Sequence, residues 1–200
     1  MIKNPLALVP YLACCFAMAV GLLWNAENID ARWHAVVSSG QANIGGSFAL
    51  TDQNGHRRTD ADFHGRYTLV YFGYTFCPDV CPTTLQVTAD ALKKLGPEAD
   101  KIVPVFITVD PARDKPAVLK SYLAAFGPQF VGLTGTNAQI ASVAKKYHVY
   151  YARQPSPNAA YFMDHSNYIY LMDPDGRFIG VFDEVLGPGG MAKKLRQEIR

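Results

Sequence analysis

The run Tyr67 to Tyr74 reads YTLVYFGY, eight residues without a charge and dense in aromatic and β-branched side chains. Such a run is a buried strand. Cys77-Pro78-Asp79-Val80-Cys81-Pro82 follows almost at once. Beyond it, Leu85, Thr88, Ala89, Leu92 and Leu95 recur at helical spacing, until Gly96-Pro97 ends the pattern. Pro82 suits a first helical turn, where no hydrogen-bonded N–H is lost. A core strand therefore runs directly into a helix with two thiols at the junction.

The rest of the chain repeats this alternation. Gly46 to Thr59 reads as a hairpin turned by Asp52-Gln53-Asn54-Gly55. KIVPVFITV (Lys101 to Val109) reads as a strand, Lys115 to Phe126 as a helix, Phe130 to Leu133 as a short strand and Asn137 to Tyr147 as a helix. Val149 to Ala152 starts a further strand. Arg153 to Asp164, with Pro155 and Pro157, reads as a loop. Ser166 to Met172 and Arg177 to Phe182 flank the turn Asp173-Pro174-Asp175-Gly176, and Met191 to Ile199 forms a last helix. Parallel strands come first and an antiparallel pair closes the sheet. With a thiol pair after the first core strand, the expected class is a thioredoxin-like α/β sandwich with an N-terminal β-hairpin.

Three segments are expected: residues 1–24 as a transmembrane anchor, 25–45 as a linker and 46–200 as the folded domain. Pro5 to Trp24 carries no charge and has about the 20 residues a helix needs to cross a bilayer. Lys3 precedes it, and Glu27 and Asp30 follow. The positive-inside rule then keeps the N-terminus in the cytoplasm and puts the rest outside. No good small-x-small cleavage site follows, so an uncleaved anchor is expected rather than a signal peptide. Without an Arg-rich transit segment, the expected location is a bacterial inner membrane, single-pass, with the C-terminal domain in the periplasm. Cys14 and Cys15 fall in the apolar run and read as small apolar filler. The formal net charge of +2, with no long Lys/Arg block, speaks against nucleic acid as a partner.

At a helix start, unpaired backbone N–H groups and the macrodipole favour anions. Thiolates gain from this, so the pKa values of Cys77 and Cys81 should fall. Two thiolates select soft ions such as Cu(I), and a third ligand must come from elsewhere. There is no second CxxC or HxxxH pair, so the pattern is not a zinc signature. His34, His56, His64 and His148 read as structural or solvated. His165 stands out because it follows a long loop and precedes a core strand.

FGYTFCPDVCPTTL, TVDPARD, LTGT and DHSNYIYLMDPDG, in this order, resemble the Sco (SenC) family of cytochrome c oxidase assembly proteins, from about Gly46 to the C-terminus. The resemblance implies a thioredoxin-like fold that binds one copper ion, Cu(I) or Cu(II), through Cys77, Cys81 and His165. It implies a copper metallochaperone that helps mature the dinuclear copper centre of the oxidase. The implied partners are the copper-bearing oxidase subunit and other periplasmic copper chaperones. Phe76 departs from the histidine often found there, a position that is not a ligand. Asp79, Asp110 and Asp164 also fall on family motifs. Asp79 lies between the thiols, Asp110 ends a strand near the site, and Asp164 could orient His165; a cap or turn role is open for each.

One alternative makes Cys77 and Cys81 a thiol–disulfide redox pair without a copper-donor role. Against it as the only activity, the spacing is CxxxC rather than CxxC, and Phe162-Met163-Asp164-His165 holds no proline where oxidoreductases place one. A peroxidase would need an arginine near Cys77, and none lies near it in sequence. Met163 and Met172 are expected to pack in the core rather than bind metal.

Overall fold

The computed structural model describes residues 43–156 and 161–199. The anchor expected at residues 1–24, the linker as far as residue 42, His34, Cys14 and Cys15 lie outside them. Among the described residues no helix is long and apolar enough to cross a membrane.

Nine strands and four α-helices make up the described chain. A hairpin of β1 (Ala49–Asp52) and β2 (Arg57–Thr59) comes first. Then follow β3 (Tyr67–Gly73), α1 (Val80–Leu95), β4 (Ile102–Thr108), α2 (Pro116–Leu123), β5 (Val131–Thr134) and α3 (Asn137–Lys146). The chain ends with β6 (Tyr151–Gln154), β7 (Phe162–His165), β8 (Ile169–Met172), β9 (Phe178–Phe182) and α4 (Gly187–Glu198). Seven strands form one sheet in the order β2-β1-β5-β4-β3-β8-β9. β3, β4 and β5 are parallel, whereas β1, β8 and β9 join antiparallel. This is the expected thioredoxin-like sandwich.

The β3-α1-β4 and β4-α2-β5 crossovers step the same way across the sheet, which puts both helices on one face. The packing agrees. Tyr122 of α2 stacks on Phe106 of β4 at 5.9 Å between ring centroids, and a side chain at Gly132 of β5 would strike Leu123. Period-2 alternation sends the neighbours of these residues to the other face. There Phe72 of β3 meets Tyr147, just after α3, at 5.3 Å and Tyr170 of β8 at 6.2 Å. β3 and β4 are central and almost wholly buried, matching their unbroken apolar runs.

The hairpin turn rests on Asp52. Its buried carboxylate accepts from the N–H groups of Asn54 and His56, both at 2.9 Å, and from Nε of Arg58 at 3.2 Å. Gly55 supplies the positive φ of +85° that the turn requires.

Boundaries shift where local signals compete with tertiary contacts. α1 begins at Val80 rather than Pro82, which still keeps the proline within the first turn. α4 begins at Gly187 although Gly187-Pro188-Gly189-Gly190 has low helix propensity; Met191, Ala192 and Leu195 bury its apolar side and decide the outcome. The larger correction concerns Arg153 to Asp164. Part of this stretch is strand: β6 pairs antiparallel with β7, in the register Tyr151↔His165, as a separate two-stranded ribbon. Pro155 lies just past β6, so it removes no ladder hydrogen bond. His165 accordingly ends a strand rather than a loop.

Gly73 ends β3 beneath the thiol helix. A Cβ there would lie 2.9 Å from both Cys81 Sγ and Phe106 Cε2. Gly73→Ala is expected to cost about 1–3 kcal/mol through overpacking, read as a lower urea midpoint at unchanged m-value.

Candidate metal centre

Cys77 sits in the turn between β3 and α1, and Cys81 in the first turn of α1. Their burial differs: Cys81 has no exposed surface, whereas Cys77 is half-buried. The backbone N–H of Cys81 points at Cys77 Sγ, 3.4 Å away, as the free N–H groups of a helix start favour. β7 brings in the third group. His165 Nε2 lies 3.3 Å from Cys81 Sγ, and the donor atoms of Cys77, Cys81 and His165 all fall within 4.8 Å of one another.

The imidazole is held in a ligand's tautomer. Nδ1 lies 3.0 Å from the Ser166 carbonyl oxygen, so it must carry the proton it donates. In the neutral ring the Nε2 lone pair then faces the sulfurs. Tyr74 and Tyr71 pack edge-on against the ring, with centroids at 5.8 and 6.2 Å. Tyr71 is itself fixed: its hydroxyl donates to Asn167 Oδ1 at 2.8 Å, and Asn167 Nδ2 donates to Glu184 at 2.6 Å.

The two thiols are inequivalent. The Cys81 thiol hydrogen-bonded to Cys77 is the largest influence on it, and the N–H groups of Cys81 and Asp79 act the same way against the opposing pull of burial. Together they bring Cys77 down to about 3. That bond to Cys77, and then burial, push Cys81 up instead. The expectation that both thiols are lowered therefore holds for Cys77 alone, because one shared proton and one buried position cannot favour two anions.

The turn that presents Cys77 is tied down by a residue the sequence reading did not single out. Asp114 has no exposed surface. It accepts from the Thr75 N–H at 3.0 Å and the Thr75 hydroxyl at 2.6 Å, and from the Thr108 hydroxyl at the end of β4 at 2.6 Å. Burial raises its pKa despite these bonds. The only hint in sequence was its place in TVDPARD.

The three candidate aspartates part company. Asp79 is exposed and stands at the N-cap of α1, where its side chain makes no capping bond. Asp110 is buried, pairs with Arg113 and accepts from the Tyr161 hydroxyl at 2.8 Å. Asp164 does not orient His165. Adjacent residues of a strand point to opposite faces, and exposed Asp164 instead accepts from Gln154 Nε2 at 2.8 Å. Met163 and Met172 are both buried in the core. His148 caps the end of α3 at a left-handed φ of 54°, and His56 is exposed beside Asp52.

An arginine does lie near the thiol turn. The Arg113 guanidinium stacks over the ring of Phe76 at 4.7 Å. Distance in sequence hid it, so the lack of such an arginine no longer counts against a peroxidase. Its Nε and Nη1, however, are turned to Asp110 and the Tyr161 carbonyl.

A thiolate persisting at low pH makes Cys77 the reactive sulfur. Its iodoacetamide alkylation is expected to stay nearly constant from pH 8 to pH 5, where an ordinary thiol slows about tenfold per unit, with Cys81 modified far more slowly. Peptide mapping by mass spectrometry checks this; a tenfold fall per unit at Cys77 would contradict it.

The SCO1/SenC family profile matches residues 36–200. Over 164 residues the chain is 42% identical to the mitochondrial protein SCO2 of Saccharomyces cerevisiae, covering 80% of this chain and 54% of that one. Over 159 residues it is 43% identical to a SCO2-like protein of Rickettsia conorii, covering 78% and 77%. It spans about half the length of the yeast relatives, 54% of SCO2 and 56% of sco1 of Schizosaccharomyces pombe. Among solved structures, copper-bound ScoI of Bradyrhizobium japonicum is 48% identical with a TM-score of 0.72, covering 77% of this chain and 98% of that one. Copper-bound yeast Sco1 is 38% identical with a TM-score of 0.74, covering 79% and 89%. The profile spans the whole folded domain and its thiol–imidazole cluster, and the chain belongs to the SCO1/SenC family.

Proposed function

We propose that this protein is a copper metallochaperone that carries one Cu(I) or Cu(II) ion on Cys77, Cys81 and His165 and delivers it to the dinuclear copper centre of cytochrome c oxidase. The observation that carries the reading is the three-donor cluster itself. Taking zinc's bonds of about 2.3 Å to sulfur and 2.0 Å to nitrogen as the scale, donors around a three-coordinate ion lie about 3.7–4.0 Å apart. The cluster spans up to 4.8 Å, so small side-chain movements close it. Two sulfurs suit Cu(I), and the imidazole extends the set toward Cu(II). The copper-bound relatives support the same choice of ion.

A half-exposed site suits a carrier. Cys77 is open to an incoming donor or acceptor, whereas Cys81 is held beneath it. Copper can therefore move by exchange of one ligand at a time. The partner in this reading is the copper-bearing oxidase subunit, with other periplasmic copper chaperones upstream. The uncharged run from Pro5 to Trp24, with Lys3 before it and Glu27 and Asp30 after it, supports an inner-membrane anchor, a linker to about residue 45 and a periplasmic domain.

The inequivalence of the thiols favours a companion activity. An ionised, accessible Cys77 beside a buried, protonated Cys81 is the arrangement of an attacking and a resolving thiol. Reduction of a disulfide between the oxidase's copper-site cysteines would use the same pair: Cys77 attacks that disulfide, and Cys81 resolves the mixed disulfide, leaving a Cys77–Cys81 disulfide and two target thiols.

Copper titration of the reduced protein tests the proposal. One equivalent of Cu(II) is expected to bind with a strong sulfur-to-copper charge-transfer band. Cys77→Ser or Cys81→Ser should weaken Cu(I) binding by more than about 100-fold, beyond the 10- to 100-fold typical of losing an outer partner. His165→Ala should weaken Cu(II) more than Cu(I). No stoichiometric binding of either ion would reject the carrier reading and leave a redox pair.

A further inference from the structure

His165 reaches the thiols from the β6–β7 ribbon, whose strands, among the described residues, pair only with each other. A ribbon of two four-residue strands is marginal by itself in water. What holds it to the domain therefore decides whether His165 stays within reach of the sulfurs. At its base, the Ser166 N–H donates to the Tyr150 carbonyl at 2.9 Å, and Met163 is buried beneath it. Tyr71 and Tyr74 pack edge-on against the His165 ring, and a second cluster of attachments gathers around Tyr161, the residue before β7.

Tyr161 is gripped at three points. Its hydroxyl donates to the buried Asp110 carboxylate, at 2.8 and 3.0 Å from the two oxygens. Its carbonyl accepts from Arg113 Nη1 at 3.1 Å. Its ring lies 3.8 Å from the Arg113 guanidinium and 4.0 Å from that of Arg153 of β6. Arg113 is in turn paired with Asp110 and stacked on Phe76, next to Cys77. Phe76 also meets Phe162 of β7, with centroids 6.3 Å apart. A continuous stack thus runs from the cysteine turn, through the β4–α2 loop, to the histidine's ribbon. Among the described residues, Arg113 Nη2 is buried without a hydrogen-bond partner.

We propose that Arg113 and Tyr161 are positioning residues for the metal centre: they clasp the β6–β7 ribbon onto the cysteine turn and so set whether His165 is available as the third donor. The clasp rests on the copper reading for its consequence but not for its existence. Neither residue touches the ion. Releasing Tyr161 leaves the two sulfurs in place on α1 and its turn, and frees the imidazole to swing away. The site then changes from two sulfurs and a nitrogen to two sulfurs, which matters more to Cu(II) than to Cu(I).

The test compares Tyr161→Ala, Tyr161→Phe and His165→Ala. In the metal-free protein, Tyr161→Ala is expected to speed amide exchange at least about tenfold in β6 and β7, with β3 and β4 unchanged. Loaded with Cu(II), it is expected to lose nitrogen hyperfine coupling in the EPR spectrum and to raise the Kd about 10- to 100-fold, the range for an outer partner, with Cu(I) affinity much less affected. Tyr161→Phe keeps the ring over Arg113 and gives up only the hydroxyl, so it should fall between wild type and Tyr161→Ala. Exchange that is unchanged in the ribbon, or that rises throughout the sheet, overturns the clasp. A Cu(II) spectrum altered by His165→Ala but not by Tyr161→Ala overturns it as well. A spectrum indifferent to His165→Ala would instead strike the three-donor reading, and the metal-free exchange would still judge the clasp.

Discussion

Asp114 is a carboxylate with no exposed surface whose two oxygens take three hydrogen bonds, two from Thr75 and one from Thr108. Thr75 begins the turn that ends in Cys77, and Thr108 ends β4. This one group therefore locks the cysteine turn to the edge of the neighbouring strand. Without it the turn would hold a part-buried N–H and hydroxyl that lose their acceptor, and the upper bound for such a loss, a fully buried orphaned donor, is about 1–3 kcal/mol. The cost of burying Asp114 shows in its raised pKa. The structure accepts that cost where the geometry of a sulfur is at stake.

From that fixed turn the rest of the site follows. The parallel register of β3 and β4 brings Gly73 level with Thr108. Gly73 leaves the space that Cys81 Sγ fills. The first turn of α1 then offers N–H groups to Cys77, and the bond to Cys77, together with burial, pushes the Cys81 thiol up. Two identical side chains become a reactive donor and a guarded one. The third donor comes from an element outside the main sheet, the part of the site whose position rests on side-chain contacts rather than on a strand ladder.

The strands and helices that carry the cysteines were legible because their signals are local. The apolar run of β3, the spacing of α1 and the punctuation at Pro82 and Gly96 lie within some thirty residues of sequence. The thiol pair and His165 were legible as residues, one by spacing and the other by resemblance. The ribbon was not legible, because pairing Tyr151 with His165 crosses a proline-containing stretch that reads as loop. Nor was the support. Asp114 bonds Thr75 across 39 positions and Tyr161 bonds Asp110 across 51, and no periodicity records such pairs. Asp164 misled for the converse reason: neighbours in sequence are on opposite faces of a strand. Phe76, the departure from the resembling pattern, has its own place between Arg113 and Phe162.

The central claim is that one ion joins two sulfurs from the α1 start to one nitrogen from β7. X-ray absorption at the copper edge of the fully reduced, singly loaded protein measures this most directly. The account predicts a first shell of two sulfur scatterers and one imidazole nitrogen, with the nitrogen lost in His165→Ala. A shell of nitrogen and oxygen alone, or one that His165→Ala leaves unchanged, would contradict it.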